Sequence, residues 1–251
     1  METPDIPRQF AIRERDHRIH NPLTEEKLAL LGRALRLRAG DRVVDLGCGS
    51  GELLCTWARD HAVVGTGIDL SSAFVAAAGA RARELGVADR VRFVHGDAAG
   101  HVEPAAYDVA CCLGATWIGG GLAGTIALLE RNLRPAGIVL VGEPYWGEDP
   151  PDEETVRRCQ VPSRDEFRSL PGLLGQLAEL GWDVVEMVLA SPDDWDRYAA
   201  AQWLTTRRFL DEHPDDELAP TLRAELDTAP VEHVSYQRRY LGWGVFALMR
   251  R

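Results

Sequence analysis

Short apolar runs of strand length alternate along this chain with segments of helical period. Strand-length runs fall at about 42–46, 63–68, 91–95, 107–112 and 137–142, and helical segments at about 51–60, 72–86 and 121–133. Two further apolar runs come late, WDVVEMVLA at 182–190 and WGVFALM at 243–249. Strand–helix alternation of this kind predicts an α/β fold, a parallel sheet covered by helices on both faces. A run such as YDVACCL, apolar at successive positions, fits a strand buried on both sides.

Two regions lie outside that alternation. In residues 1–39, Thr24 is placed to cap a helix that begins near Glu25 and runs to Gly40. Between the last two strands lies a stretch of roughly 50 residues, 191–241, far longer than a hairpin connection. It reads as helical, with Trp195, Tyr198, Trp203, Thr206 and Phe209 recurring at short helical steps. That stripe serves either as packing against the sheet or another helix, or as a cap over a pocket. The only biased segment is the acidic GEDPPDEE at 147–154.

Composition narrows the partners. The 251 residues carry 28 Lys plus Arg against 39 Asp plus Glu, a net charge of −11. Such a chain repels nucleic-acid backbones and anionic lipid surfaces, and its only basic features are Arg pairs of the kind found on solvated helix faces. Five cysteines without a CxxC pair point to reduced thiols in the cytoplasm and to no metal cluster. The charged N-terminal METPDIPRQFAIRERD reads against a signal peptide. No apolar run reaches the length of a membrane span.

The chemistry gathers around RVVDLGCGSGELL, Arg42 to Leu54. Gly47, Gly49 and Gly51 follow a strand and open a helix, where a missing Cβ lets a ligand approach backbone N–H groups. A tight turn with nothing bound is the plain alternative. The spacing is GxGxG rather than the GxGxxG of dinucleotide-binding turns. Asp45 precedes the first glycine, Asp69 ends the next strand, and Asp97 follows the third. A carboxylate at the second strand tip suits the two hydroxyls of a ribose. Three acids at consecutive strand ends suit a ligand with a sulfonium or ammonium centre, not one rich in phosphate.

Together these segments resemble the class I S-adenosylmethionine-dependent methyltransferases. VVDLGCGSG looks like that family's first motif, GIDLS its second, HGDA its third and YDVACCLGA its fourth. LLERNLRPAGIVLVGEP looks like the helix, turn and strand that follow, with Ala136 where a glycine is usual. The resemblance spans about 25–190 plus the last strand. It implies a doubly wound seven-stranded sheet in the order 3-2-1-4-5-7-6, the last strand antiparallel; residues 1–39 read as an N-terminal helical lid and 191–241 as a helical insertion or cap within a single domain. It implies S-adenosylmethionine as cofactor. Gly47 and Gly49 would lie along its methionine part, Asp69 at the ribose, Asp97 and Ala98 at the adenine, and Leu113 and Gly114 beside the sulfur, with Asp45 and Leu70 as further cofactor-binding residues. HRIHNP, GATWI and GEPYW are similar to segments in bacterial small-molecule methyltransferases of unassigned substrate.

An acceptor belongs above the ends of the fourth and fifth strands. Those ends carry Thr116, Trp117, Glu143, Tyr145 and Trp146, and RERDHRIHNP offers His17, Arg18, His20 and Asn21 to the same mouth. Glu143 and His20 are the chosen acid–base or acceptor-orienting groups. Trp117, Tyr145 and Trp146 form the expected aromatic wall, with Trp203 and Tyr236 as lid residues. Each has a structural alternative, since large aromatics serve cores as readily as pockets. The expected acceptor is a small molecule offering O or N, met by a monomer or homodimer.

Rival chemistries are weaker. Lys27 is the only lysine, which excludes the Tyr–Lys pair of short-chain dehydrogenases and a GK[ST] phosphate loop. GATW stands where adenine-modifying nucleic-acid methyltransferases carry an Asn/Asp-Pro-Pro-aromatic signature. Aminopropyl transfer on the same fold and a non-catalytic cofactor-binding module remain as alternatives.

Overall fold

The structure, a computed structural model, describes residues 5–251. The chain begins with α1 (Arg8–Glu14) and α2 (Glu25–Ala34), then enters the sheet with β1 (Arg42–Leu46). There follow α3 (Glu52–His61), β2 (Val64–Asp69), α4 (Ser72–Glu84), β3 (Val91–His95), β4 (Tyr107–Leu113), α5 (Leu122–Glu130) and β5 (Leu133–Trp146). The second half adds α6 (Glu153–Arg158), α7 (Leu170–Glu179), β6 (Trp182–Leu189), α8 (Pro192–Glu212), α9 (Ala219–Glu232) and β7 (Leu241–Arg250). The sheet order is β3-β2-β1-β4-β5-β7-β6, and β7 runs antiparallel to both its neighbours. This is the order the resemblance implies.

Side-chain alternation explains why the sheet is doubly covered. Cys111 faces a core built with Leu28, Leu31, Leu54 and Trp57 of α2 and α3, while adjacent Cys112 faces one built with Ile126, Leu129 and Leu177 of α5 and α7. Both thiols are fully buried and behave as small hydrophobes. Parallel pairing aligns Asp45 with Gly67 and Cys111, and Leu113 with Gly142. The acids and glycines therefore collect at one end of the sheet, where the strand order reverses between β1 and β4.

Helix boundaries follow side-chain caps. The Thr24 hydroxyl accepts from the Lys27 amide, Ser71 caps α4, and Ser191 with Asp194 forms a capping box at the start of α8. Two expected boundaries need correction. The second helix stops at Ala34, not Gly40, because Arg36 turns left-handed (φ 54°). The fifth stops at Glu130, where Asn132 spends its side chain on the Leu128 and His101 carbonyls and the Glu103 amide. The strand that follows then begins earlier than 137 and includes Ala136 at φ 61°. Alanine there carries roughly 1–2 kcal/mol of backbone strain that glycine avoids.

The 191–241 stretch is two helices closed by a π turn at His233–Gln237. Its inner face holds the N-terminal helix. Ile12 of α1 packs with Phe209, Leu210, Ala219 and Leu222. Arg8 pairs with Asp216, Arg13 with Glu225, and Arg15 with Glu212 at 2.8 Å. Beneath them Glu14 is fully buried and receives the Tyr198 hydroxyl (2.8 Å), the Gln202 amide (2.6 Å) and His17 (2.8 Å). Burial alone would raise the Glu14 carboxyl, but His17 above all, with His20 and Tyr198, holds it below the ordinary carboxylate range. The N-terminal helix and the 191–241 helices thus pack as one unit.

Candidate active site

One cavity gathers all the residues that the resemblance assigns to the cofactor. Asp45, Gly47, Gly49, Asp69, Leu70, Asp97, Ala98, Leu113 and Gly114 line it together. The glycine turn is shaped by close approach. Gly47 and Gly49 have φ of 81° and 52°, and a Cβ on them would meet Ala115 Cβ and His20 Nδ1, each at 2.8 Å. Asp69 accepts the Gly49 amide at 2.7 Å on one oxygen and the Ser71 amide at 2.8 Å on the other. Each of those oxygens keeps a lone pair for a further donor. Asp97 caps the short turn at 98–100 by accepting the Ala99 amide at 2.9 Å.

Asp45 is the exceptional acid. It is 3% exposed, and its Oδ1 has no hydrogen-bond partner among the described residues. Burial, with the Asp69 charge nearby, pushes its carboxyl up to about 7. A buried carboxylate oxygen without a donor fits a ligand ammonium, and the amino group of a methionine moiety is one.

The cap supplies a wall that sequence reasoning underused. Phe10, Ile19, His20 and Asn21 line the same cavity, as does Phe74 of α4. Asn21, named only as one residue of the lid segment, donates its amide to the Leu113 carbonyl at 3.1 Å. His20 Nε2 lies 3.0 Å from Ser50 Oγ and 3.2 Å from the His17 carbonyl, and its ring stands edge-on to Phe74. Burial pulls the His20 imidazole below its ordinary range, so its neutral form dominates. Its side-chain contacts are to Ser50 of the glycine turn, the His17 carbonyl and Phe74.

A second cavity opens where the fourth and fifth strands end, and it shares Gly114 and Trp117 as lining with the first. Glu143 lines it, with Thr116, Pro144, Phe167 and Arg168. The Thr116 hydroxyl donates to Glu143 Oε2 at 2.7 Å. Burial pushes the Glu143 carboxyl up to about 7, with Glu166 adding to the rise and Thr116 opposing it. Trp117 stands 65% exposed at the junction.

The other expected aromatics sit elsewhere. The Tyr145 ring is buried over Gly242, where a Cβ would come within 2.2 Å of it. Trp146 packs with Val156, Cys159 and Tyr240 and donates its indole N–H to the Arg164 carbonyl at 2.9 Å. Tyr236 packs against that same cluster. Trp203 stands edge-on to the buried His233 ring and lines a separate hollow beside Gln202 and Gln237. None of the four lines either cavity at the strand ends. Among the described residues no helix is long and apolar enough to cross a membrane.

Comparison with known proteins agrees with this geometry. A family model described as a methyltransferase domain matches residues 43–137. A solved S-adenosylmethionine-dependent methyltransferase from Geobacter sulfurreducens, in complex with S-adenosyl-L-homocysteine, is 62% identical. The match covers 98% of this chain and 99% of that one, with a TM-score of 0.97. The uncharacterized protein YjhP of Escherichia coli K12 is 59% identical over 247 residues, covering 98% of this chain and all of that one. The 27-O-demethylrifamycin SV methyltransferase of Amycolatopsis mediterranei is 32% identical over 179 residues, 67% of this chain and 62% of that protein. With its seven-stranded sheet and its glycine turn, the chain belongs to the S-adenosylmethionine-dependent methyltransferases.

Proposed function

We propose that this enzyme methylates an O–H or N–H group of a small molecule seated beside Glu143. The observation that carries the reading is the junction of the two cavities at Gly114 and Trp117, with Glu143 beyond it. S-Adenosylmethionine supplies a methyl group on a positively charged sulfur, with a neutral thioether as leaving group.

The residues of the first cavity fit that cofactor. Asp45 receives its ammonium, Asp69 with Leu70 holds the ribose, and Asp97 with Ala98 meets the adenine. Gly47 and Gly49 admit the methionine part against the backbone. Leu113 and Gly114, fastened by Asn21, border the sulfur end. His20 acts here as a positioning residue for the glycine turn, because its neighbours are Ser50 and Gly49.

In the second cavity Glu143 takes the acceptor proton. A carboxyl near 7 is a stronger base than an ordinary carboxylate, and it still ionises at neutral pH. Thr116 holds Oε2 and leaves Oε1 for the acceptor. Trp117 lines both cavities and presents its exposed ring to the acceptor. The rifamycin-directed relative, named for a small-molecule substrate, supports an acceptor of that class.

Glu143→Gln tests the assignment. With a turned-over acceptor in hand, kcat is expected to fall by about 10²–10⁴-fold while the Kd for S-adenosylhomocysteine stays at the parental value. Parental kcat in the variant contradicts a base role.

A further inference from the structure

We propose that the second cavity takes a small amine that arrives as its cation and leaves N-methylated, a proposal that rests on that cavity being the acceptor site. Three carboxylates line it, Glu143, Asp165 and Glu166, against one basic residue, Arg168. The neighbouring cation does not neutralise them: Arg164 turns instead to Asp149, at 2.7 Å, and towards Glu153. Among the described residues the one side-chain partner of Glu143 is the neutral Thr116 hydroxyl. A cavity with excess negative charge draws cations and turns away carboxylates and phosphates.

The aromatic residues point the same way. Trp117 keeps most of its ring surface exposed, and Phe167 is steadied edge-on by Trp146 with centroids 5.7 Å apart. Both line the cavity that the carboxylates line. Aromatic faces attract ammonium groups and give a neutral hydroxyl no comparable gain. Acids at the exposed mouth (Asp165 and Glu166) then attract the substrate, while the deeper Glu143 meets its nitrogen.

The proton balance closes without a further reactant. The ammonium gives one proton to the Glu143 carboxylate, which becomes a carboxylic acid. The freed nitrogen lone pair forms the new N–C bond as the methyl C–S bond breaks, and that bonding pair stays on sulfur. The positive charge passes from sulfur to nitrogen, so the product departs as an N-methylammonium ion. Glu143 returns its proton to water. Its raised carboxyl accepts the proton at less cost than an exposed glutamate.

The test is calorimetry on the full chain saturated with S-adenosylhomocysteine, with phenethylammonium, 2-phenylethanol and phenylacetate as probes of matched shape. Phenethylammonium is expected to bind about tenfold or more tightly than either of the others, ~1.4 kcal/mol. In the Asp165→Asn/Glu166→Gln double variant that preference is expected to drop below about threefold. Both acids are exposed, so their replacement leaves the core untouched. Trp117→Ala is expected to weaken the ammonium and spare the alcohol. Tighter binding of the alcohol overturns the amine assignment and leaves the acceptor cavity standing. Absence of ammonium binding, or equal binding of phenylacetate, also overturns it. Ammonium binding that survives in both the double variant and Trp117→Ala contradicts the cavity assignment itself.

Discussion

Asp69 accepts the Gly49 amide at 2.7 Å, so the tip of β2 is tied to the glycine turn before any ligand arrives. Its other oxygen accepts the Ser71 amide and fixes the start of α4. Asp69→Ala is therefore expected to weaken S-adenosylhomocysteine binding by about 1–3 kcal/mol, roughly 5- to 150-fold in Kd. Calorimetry reads this directly. Parental affinity in the variant contradicts the ribose assignment.

Asp45 makes cofactor affinity depend on pH. Its carboxyl lies near 7, and the ionised form is the one that receives an ammonium. Affinity is expected to rise as pH climbs towards about 7 and then level off, and Asp45→Asn is expected to flatten the curve. The same shift acts on the fold with a definite sign. The folded carboxyl lies above its unfolded value of 3.8, so its contribution to stability is complete below that value. That contribution is lost as pH rises through about 7. Ligand-free Asp45→Asn is accordingly expected to lose less stability than the parent over that range, as denaturant titrations at several pH values would show.

Glu143 sets the rising limb of the rate profile. As a base it works ionised, so kcat is expected to increase with pH through about 7. The charged residues around it in the cavity are Asp165, Glu166 and Arg168. Glu166→Gln removes a like charge, so the limb is expected to move to lower pH. In Glu143→Gln the limb disappears. A limb that stays in place in both variants assigns it to another group.

The cap has a measurable latch. Tyr198 donates its hydroxyl to the buried Glu14 and lies 3.1 Å from the His20 carbonyl oxygen. Tyr198→Phe leaves that carboxylate short of a donor, at an expected cost of about 1–3 kcal/mol in denaturant unfolding. Because His20 leans on the glycine turn, the Kd for S-adenosylhomocysteine is expected to rise as well. Deleting residues 1–22 removes Ile12 from its cluster, so it costs stability along with turnover. An unchanged unfolding midpoint in Tyr198→Phe contradicts the latch.

Much of the fold was legible because local signals agree with it. Apolar runs marked the strands, Thr24 marked the start of the second helix, and the alternating glycines marked the turn after β1. Asp45, Asp69 and Asp97 could be read as a set because parallel strands carry their C-terminal ends to one edge. The aromatics of GEPYW were not legible. Their direction depends on the pairing of β5 with β7, which sets Tyr145 opposite Gly242 and Glu143 opposite Gly244. That register joins residues nearly a hundred positions apart, and no local pattern encodes it. The contact of Asn21, named only with the N-terminal segment, was not legible for a related reason, since its partner is a backbone carbonyl of β4. The stripe on α8 was ambiguous because packing and capping coincide: Tyr198 and Phe209 hold the lid helix by packing against it.

The most direct test of the account is a crystal structure of this chain with S-adenosylhomocysteine. The predicted result has the ribose on Asp69, the amino group at Asp45, and the sulfur facing the junction of Gly114 and Trp117 with a clear line to Glu143. A sulfur turned away from that junction, or closed off from Glu143 by protein, would contradict methyl transfer into the second cavity.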